Sequence, residues 1–335
     1  MSFDPSAAAA ADSGLFGLTF DETESLVVAI PVPFDATTSY GGGTSRGPEA
    51  ILTASRQVDL EDAQFGDFWR AGIMMRPAEA RIAEANAEAS DLADAARGGD
   101  RSALERVNGL SGEVHELVRA AAGDALRAGR IPAVVGGEHS VSFGAIAAAA
   151  DAAGPIGVLH IDAHDDLRSA YEGFRWSHAS VMRNVMERVP GAERVVSVGV
   201  RDFCDEEKRE RERLGARWVS YDDLALTRRL AGGEAFGAVT KEIASALPER
   251  VYITLDIDGL EPALCPGTGT PVPGGLSWRQ FVALVDAVAE SGKTIVGFDV
   301  VEVSPREGDE WDANVGARAL FKLCGLAIRS RGTRR

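Results

Sequence analysis

Short apolar runs rich in valine and isoleucine recur along the chain, each closed by glycine, proline or an acid: LVVAIP (26–31), IPAVVGG (131–137), IGVLHID (156–162), RVVSVGV (194–200), VYITLDID (251–258) and TIVGFDVVEV (294–303). They do not alternate between apolar and polar positions. A strand covered on both faces reads this way, so the runs predict a parallel sheet. Between them the apolar spacing changes to the helical period. The clearest case follows Ser277, which forms a capping box with Gln280 and leads into Phe281, Val282, Val285 and Val288. Further helices are expected near 46–55, 108–129, 141–152, 179–188, 236–247 and 313–327. Strands alternating with helices predict a three-layer α/β/α fold on an open, mostly parallel sheet. Residues 76–107, rich in alanine and acids, predict helix but carry no motif. Residues 1–14 (MSFDPSAAAAADSG) lack a packing pattern and are expected to be disordered, with structure beginning near Leu26 and 15–335 forming a single domain.

Charge and composition narrow the partners. A net charge of −16 on 335 residues argues against nucleic acid, which calls for a basic face, and suits a small cation. The stronger reading of that charge is the ordinary one, that acidic solvated helices keep a protein soluble. No run approaches a membrane span or a secretory signal, so a cytoplasmic location is expected. Three cysteines (Cys204, Cys265, Cys324), with no CxxC, provide neither a disulfide framework nor a zinc finger.

In open α/β sheets ligands bind beyond the carboxyl ends of the strands. Four predicted strand ends deliver acids or histidines to that edge: AVVGGEHS ends in His139, VLHIDAHDD in Asp162, His164 and Asp166, ITLDIDG in Asp256 and Asp258, and FDVVEVSP in Glu302. Residues two apart in an extended segment share a face. So many carboxylates together resist burial unless a cation joins them. Two imidazoles and four carboxylates are too many donors for one ion but suit two bridged ions. The oxygen-rich set favours two Mn²⁺, with Ni²⁺ or Co²⁺ also compatible. Such a pair activates water, which makes metal-assisted hydrolysis the expected chemistry. His160 reads as a supporting residue, His115 as the surface of a polar helix, and Asp165 as a neighbour of the site.

The segments GGEHS, DAHDD, SHASVMR, LDIDGLEPALCPGTGTPVPGG and DVVEVSP, in this order, resemble the motif series of the ureohydrolase family of arginases and agmatinases. IPVPFDATTSYGGGTSRGPEAI is similar to the agmatinase branch. The resemblance covers about 31–326 and implies an arginase-like fold. It further implies that His139 and Asp166 bind one metal and His164 and Asp258 the other, with Asp162 and Asp256 bridging both. His178 matches the family's proton-shuttling histidine, and Glu302 matches the acid that pairs with the guanidinium. Asp166 then counts both as ligand and as catalytic residue. The implied reaction is attack of a metal-bridging hydroxide on a guanidinium carbon, releasing urea. Ala179 and Glu261 depart from the usual glycine and aspartate, and neither is an expected ligand.

The loop RSAYEGFRW (168–176) lacks the asparagine and serine pattern expected of arginase. Agmatine is therefore the expected substrate, with Glu172 a candidate for its amine tail. Guanidinobutyrate, whose carboxylate would meet Arg168, Arg175 or Arg183, arginine and free guanidine are the alternatives within the class. A dinuclear phosphoesterase would require a GNH[DE] stretch that is absent, and a non-catalytic relative would show a lost ligand, which the chain does not. The family also implies a homo-oligomer, trimer or hexamer.

Overall fold

The computed structural model describes residues 4–332. The first three residues of the segment expected to be disordered lie outside that range. Eight parallel strands form one sheet: β1 (Val27–Val32), β2 (Ile73–Met75), β3 (Ile131–Gly136), β4 (Ile156–Ile161), β5 (Ala192–Val198), β6 (Trp218–Tyr221), β7 (Arg250–Asp256) and β8 (Thr294–Val301). Their order is β2-β1-β3-β8-β7-β4-β5-β6. The six apolar runs read from the sequence are the six inner strands; β2 and β6, three and four residues long, are the edges and too short to leave a pattern.

The helices are α1 (Gly47–Ser55), α2 (Ala80–Arg97), α3 (Arg101–Arg127), α4 (Ser142–Ala153), α5 (Val181–Arg188), α6 (Asp205–Leu214), α7 (Asp223–Ala231), α8 (Phe236–Ala246), α9 (Trp278–Glu290) and α10 (Trp311–Ser330). Buried side chains of α1, α8, α9 and α10 form the core on one face of the sheet, and those of α2 to α5 the core on the other. This is the expected three-layer arrangement. The capping box at Ser277 and Gln280 starts α9 as read. Stretch 76–107 is helical but broken at Gly98-Gly99, after which the Asp100 carboxylate accepts from the Ser102 and Ala103 amides and starts α3.

Packing begins earlier than Leu26. Leu15, Phe16 and Leu18 are buried, with Phe16 edge-on to Phe321 of α10 at 4.9 Å. Just before them, the Ser13 carbonyl accepts two hydrogen bonds from Arg56, at 3.0 and 2.8 Å.

His115 also departs from its expected place. It is 2% exposed, packed against Phe143 and Trp176 at 5.3 and 4.8 Å. α3 is covered by both α2 and α4, so its buried stripe is wide and takes in Ser111, His115, Val118 and Ala122. Burial drives the His115 pKa down to about 3, against a smaller opposing pull from the Ser140 backbone. An unfolded chain takes up this proton near pH 6.5 while the folded chain does not. The contribution is therefore constant above that pH and becomes destabilising as pH falls toward 3, by about 1.4 kcal/mol per unit. His115→Leu should remove this slope. Between about pH 7 and about pH 5, the stability difference between wild type and variant should move by roughly 2 kcal/mol in the variant's favour, read from denaturant midpoints.

Candidate metal centre

The site is built on neighbouring strands held in register. His160 of β4 lies beside Ser197 of β5 and Thr254 of β7, and Thr254 lies beside Asp299 of β8. These four residues form a polar row across the sheet, and all are fully buried. Asp162 and Asp256 follow His160 and Thr254 by two residues and stand on the same face one step nearer the carboxyl edge. Gly259 lets the two strand ends meet: a Cβ there would fall 2.7 Å from the Asp162 amide nitrogen.

Beyond the edge the expected residues converge. His139 Nδ1 lies 3.0 Å from Asp162, 2.9 Å from Asp166 and 3.5 Å from Asp256. His164 Nδ1 lies 3.2 Å from Asp258 and 3.5 Å from Asp162. Asp162 thus touches both histidines. Backbone amides fix the carboxylates from behind: His164 donates to Asp162 at 2.6 Å, Ala163 to Asp258 at 3.0 Å and Asp258 to Asp256 at 2.8 Å. Donor atoms of His139, His160, Asp162 and Asp166 form one group able to hold an ion, and those of Asp162, His164 and Asp258 a second.

Whether a cation fits is decided by the direction of the His139 lone pair. The Thr254 hydroxyl donates to the Asp299 carboxylate at 2.7 Å, so toward His139 Nε2, at 2.8 Å, it can only accept. The neutral ring then carries its proton on Nε2 and aims a bare Nδ1 at three carboxylates. That juxtaposition repels unless a cation lies between. Protons are the other means of relief, and the titration of the site reflects them. Burial opposes protonation of His164, but Asp258 and Asp162 outweigh it and lift the pKa to about 12. Burial, then Asp162, pushes Asp166 up to about 6, and burial followed by Asp258 raises Asp256 well above the carboxylate range.

The remaining candidates surround this cluster. Glu302 receives the His139 amide on Oε1 at 2.8 Å, while its Oε2 is buried without a hydrogen-bond partner. Burial and then Glu138 raise its pKa. Asp166 and Glu302 both adopt left-handed backbone, φ 55° and 64°, a strain that non-glycine residues accept when the surrounding structure fixes them. His178 Nδ1 is 3.1 Å from the Thr37 carbonyl, an acceptor only, so the neutral ring carries its proton there and leaves Nε2 bare, 3.4 Å from Ser39 Oγ. Burial and His164 lower its pKa to about 4. His160 donates Nε2–H to Asp162 at 2.9 Å and faces Ser197 with Nδ1 at 3.1 Å, the supporting place expected for it. Asp165 turns away to a two-point ion pair with Arg211, each contact 2.6 Å.

Above the cluster opens a cavity of about 400 Å³ whose lining includes His164, Asp166, His178, Arg168, Asp202 and Glu207. A larger depression of about 790 Å³, lined by Pro190, Arg194 and Pro248 among others, includes none of the cluster residues. Glu172 is not in the cavity lining; it pairs with Arg97 instead. Thr254, Asp299 and Ser197 were not singled out in the sequence, although a polar residue inside an apolar central strand is itself a signal, because burial demands a partner for it.

The model of the Arginase family matches residues 25–325. The N(1)-aminopropylagmatine ureohydrolase of Thermus thermophilus is 37% identical over 304 residues, covering 90% of each chain, and the agmatinase of Bacillus cereus is 31% identical over 283 residues, covering 84% of each. The solved agmatine ureohydrolase of Thermoplasma volcanium superposes with a TM-score of 0.73 over 94% of both chains at 23% identity, a likeness of fold. The chain belongs to the arginase family. It is a hydrolase of that metal-dependent family, and the buried histidine and aspartate cluster is compatible with its paired metal site.

Thr254→Val removes the acceptor that holds the His139 proton on Nε2 while keeping the side chain's shape. Metal affinity, measured by titration of stripped protein, should fall about 10- to 100-fold with the fold intact. Unchanged affinity would remove Thr254 from the account of the site.

Proposed function

We propose that the chain hydrolyses a guanidino compound with a cationic aliphatic tail, agmatine or its N-aminopropyl derivative, to urea and the corresponding amine. The observation that carries this reading is His139 Nδ1 facing Asp162, Asp166 and Asp256 in a buried cluster whose Asp166 and His164 line the cavity. The names of the relatives supply the substrate class. His139 and Asp166 would hold one Mn²⁺, His164 and Asp258 the other, and Asp162 and Asp256 would be shared. When bound, such ions lower the pKa of water so that a nucleophile exists at neutral pH.

The chain's own residues do the rest. The unpartnered Oε2 of Glu302 would accept from the guanidinium nitrogens, which would return that carboxylate to its charged form. His178, neutral and with Nε2 bare at the cavity wall, can take a proton from solvent and pass it to the departing amine. The cavity also favours a cationic tail over a carboxylate. Asp202 and Glu207 line it, Arg168 is drawn over the Tyr171 ring at 4.7 Å, and Arg183 is occupied by Glu187 and Glu210. The same reading includes a cytoplasmic homo-oligomer. No helix among the described residues is long and apolar enough to cross a membrane.

Urea release from agmatine, aminopropylagmatine, arginine, guanidinobutyrate and guanidine, with stripped enzyme reloaded with Mn²⁺ or Ni²⁺, tests the reading. Activity should vanish on stripping, return with Mn²⁺, and be greatest on the two cationic-tailed compounds. Fastest turnover of guanidinobutyrate would overturn the substrate assignment. His178→Asn should lower kcat by about 10²-fold or more with metal content unchanged.

A further inference from the structure

The stretch 76–107 has no place in the chemistry above, yet its first helix ends against two loops that contribute to the cavity lining. Arg97, in the last turn of α2, reaches two separate loops at once. Its Nη2 donates to the Thr38 carbonyl at 2.8 Å, and its Nε donates to Glu172 at 2.6 Å, with the guanidinium 5.4 Å from the ring centre of buried Phe174. Loop 35–43 supplies Ser39 and Tyr40 to the cavity lining, and loop 168–176 supplies Arg168 and Tyr171. A second residue of α2, Asn86, exchanges hydrogen bonds with Asp35 at 2.8 and 3.1 Å and fixes the root of the first loop.

Glu172 shows that the contact constrains the sequence. Tyr171 and Phe174 bond to each other through both backbone pairs, 3.1 and 2.8 Å, around Glu172 and Gly173 at φ 52° and 89°. This is the two-residue turn in which asparagine and glycine are at ease and glutamate is not. A glutamate there has to be held by its side chain, and Arg97 holds it.

We propose that Arg97 is a positioning residue: by fastening loop 35–43 to loop 168–176 it sets the width of the cavity around the substrate's tail, so that α2 governs tail binding without touching the metal cluster. The inference rests on the function proposed above. It concerns binding of the tail, so its mark is a change in KM at nearly constant kcat.

The test compares Arg97→Ala, Arg97→Lys and Glu172→Asn with wild type. Steady-state kinetics use the best substrate of the panel, and hydrogen exchange of the metal-loaded protein follows both loops. Arg97→Ala should raise KM about tenfold and change kcat less than about threefold, and both loops should exchange faster together. Arg97→Lys, which keeps the charge but loses the fork, should loosen at least one loop and raise KM less. Glu172→Asn suits the turn, so thermal stability should hold or rise while KM still increases; a purely structural role would predict no change in KM. Unchanged KM in Arg97→Ala, or wild-type KM in Glu172→Asn, overturns the clamp. If wild type releases urea from no compound of the panel, the proposed function fails and hydrogen exchange decides the clamp alone: joint loosening of the two loops in Arg97→Ala upholds it, and independent or absent loosening overturns it.

Discussion

The carboxyl edge of the sheet is organised around one electrostatic conflict. Asp162, Asp166, Asp256, Asp258 and Glu302 are all buried, none more than 5% exposed, with two histidines among them. Like charges so close resist joint ionisation, and loss of water raises the cost further. Several buried acids elsewhere are paired with arginine: Asp165 with Arg211, Asp312 with Arg306, Glu210 with Arg183. Among the described residues no arginine or lysine reaches these five side chains, although thirty-five such cations exist in the chain. The cluster is therefore left for a cation that the chain does not itself supply. Protons on His139, His164 and the raised carboxyl groups are the other means of balance.

Such a cluster stays in place because its parts stand on strands. The row Ser197, His160, Thr254 and Asp299 crosses four adjacent strands in register beneath the carboxylates, and each member orients another. Ser197 meets His160, which holds Asp162, while Asp299 takes the Thr254 proton and Thr254 thereby fixes the His139 tautomer. A single missing member leaves a buried polar group unsatisfied next to the site, so the row acts as a unit. Where the chain leaves the strands, strained backbone takes over. Asp166 and Glu302 are held at positive φ by the surrounding contacts, which aims their carboxylates where relaxed residues would not point.

These features were unequally legible in the sequence. A central parallel strand declares itself by uninterrupted apolar residues, so the six inner strands were readable, and the strand-end rule then assigned the six metal candidates and Glu302 to one edge of the sheet, while His178 came only from the resemblance of SHASVMR to the family motif. Edge strands of three or four residues carry no such run. Helices α6 and α7 hide for a different reason: α6 buries only Glu207, Glu210 and Leu214, and α7 only Leu226, so neither shows an apolar stripe. His115 was misplaced because a polar-looking helix was read as a surface helix, when Phe143 of α4 and Trp176 cover the side that would otherwise meet water. Thr254 and Asp299 stood in plain view within apolar runs. What they do depends on register between strands far apart in sequence, which no single run records.

The division between strands and loops also separates the two tasks of the site. The donors proposed for the cation and the guanidinium gather at and just beyond the strand ends, where a small displacement would disturb them together. Part of the cavity wall comes from loops 35–43 and 168–176, tied to helix α2 by Asn86 and Arg97 in the first case and by Arg97 in the second. A helix whose contribution lies in Asn86 and Arg97 leaves no periodic or compositional mark, which is why 76–107 read as bare alanine-rich helix. Under the clamp proposed for Arg97, substitutions in α2 reshape tail recognition while the buried row and its carboxylates remain as they are. On that proposal, substrate choice is mechanically separable from the hydrolytic chemistry beneath it.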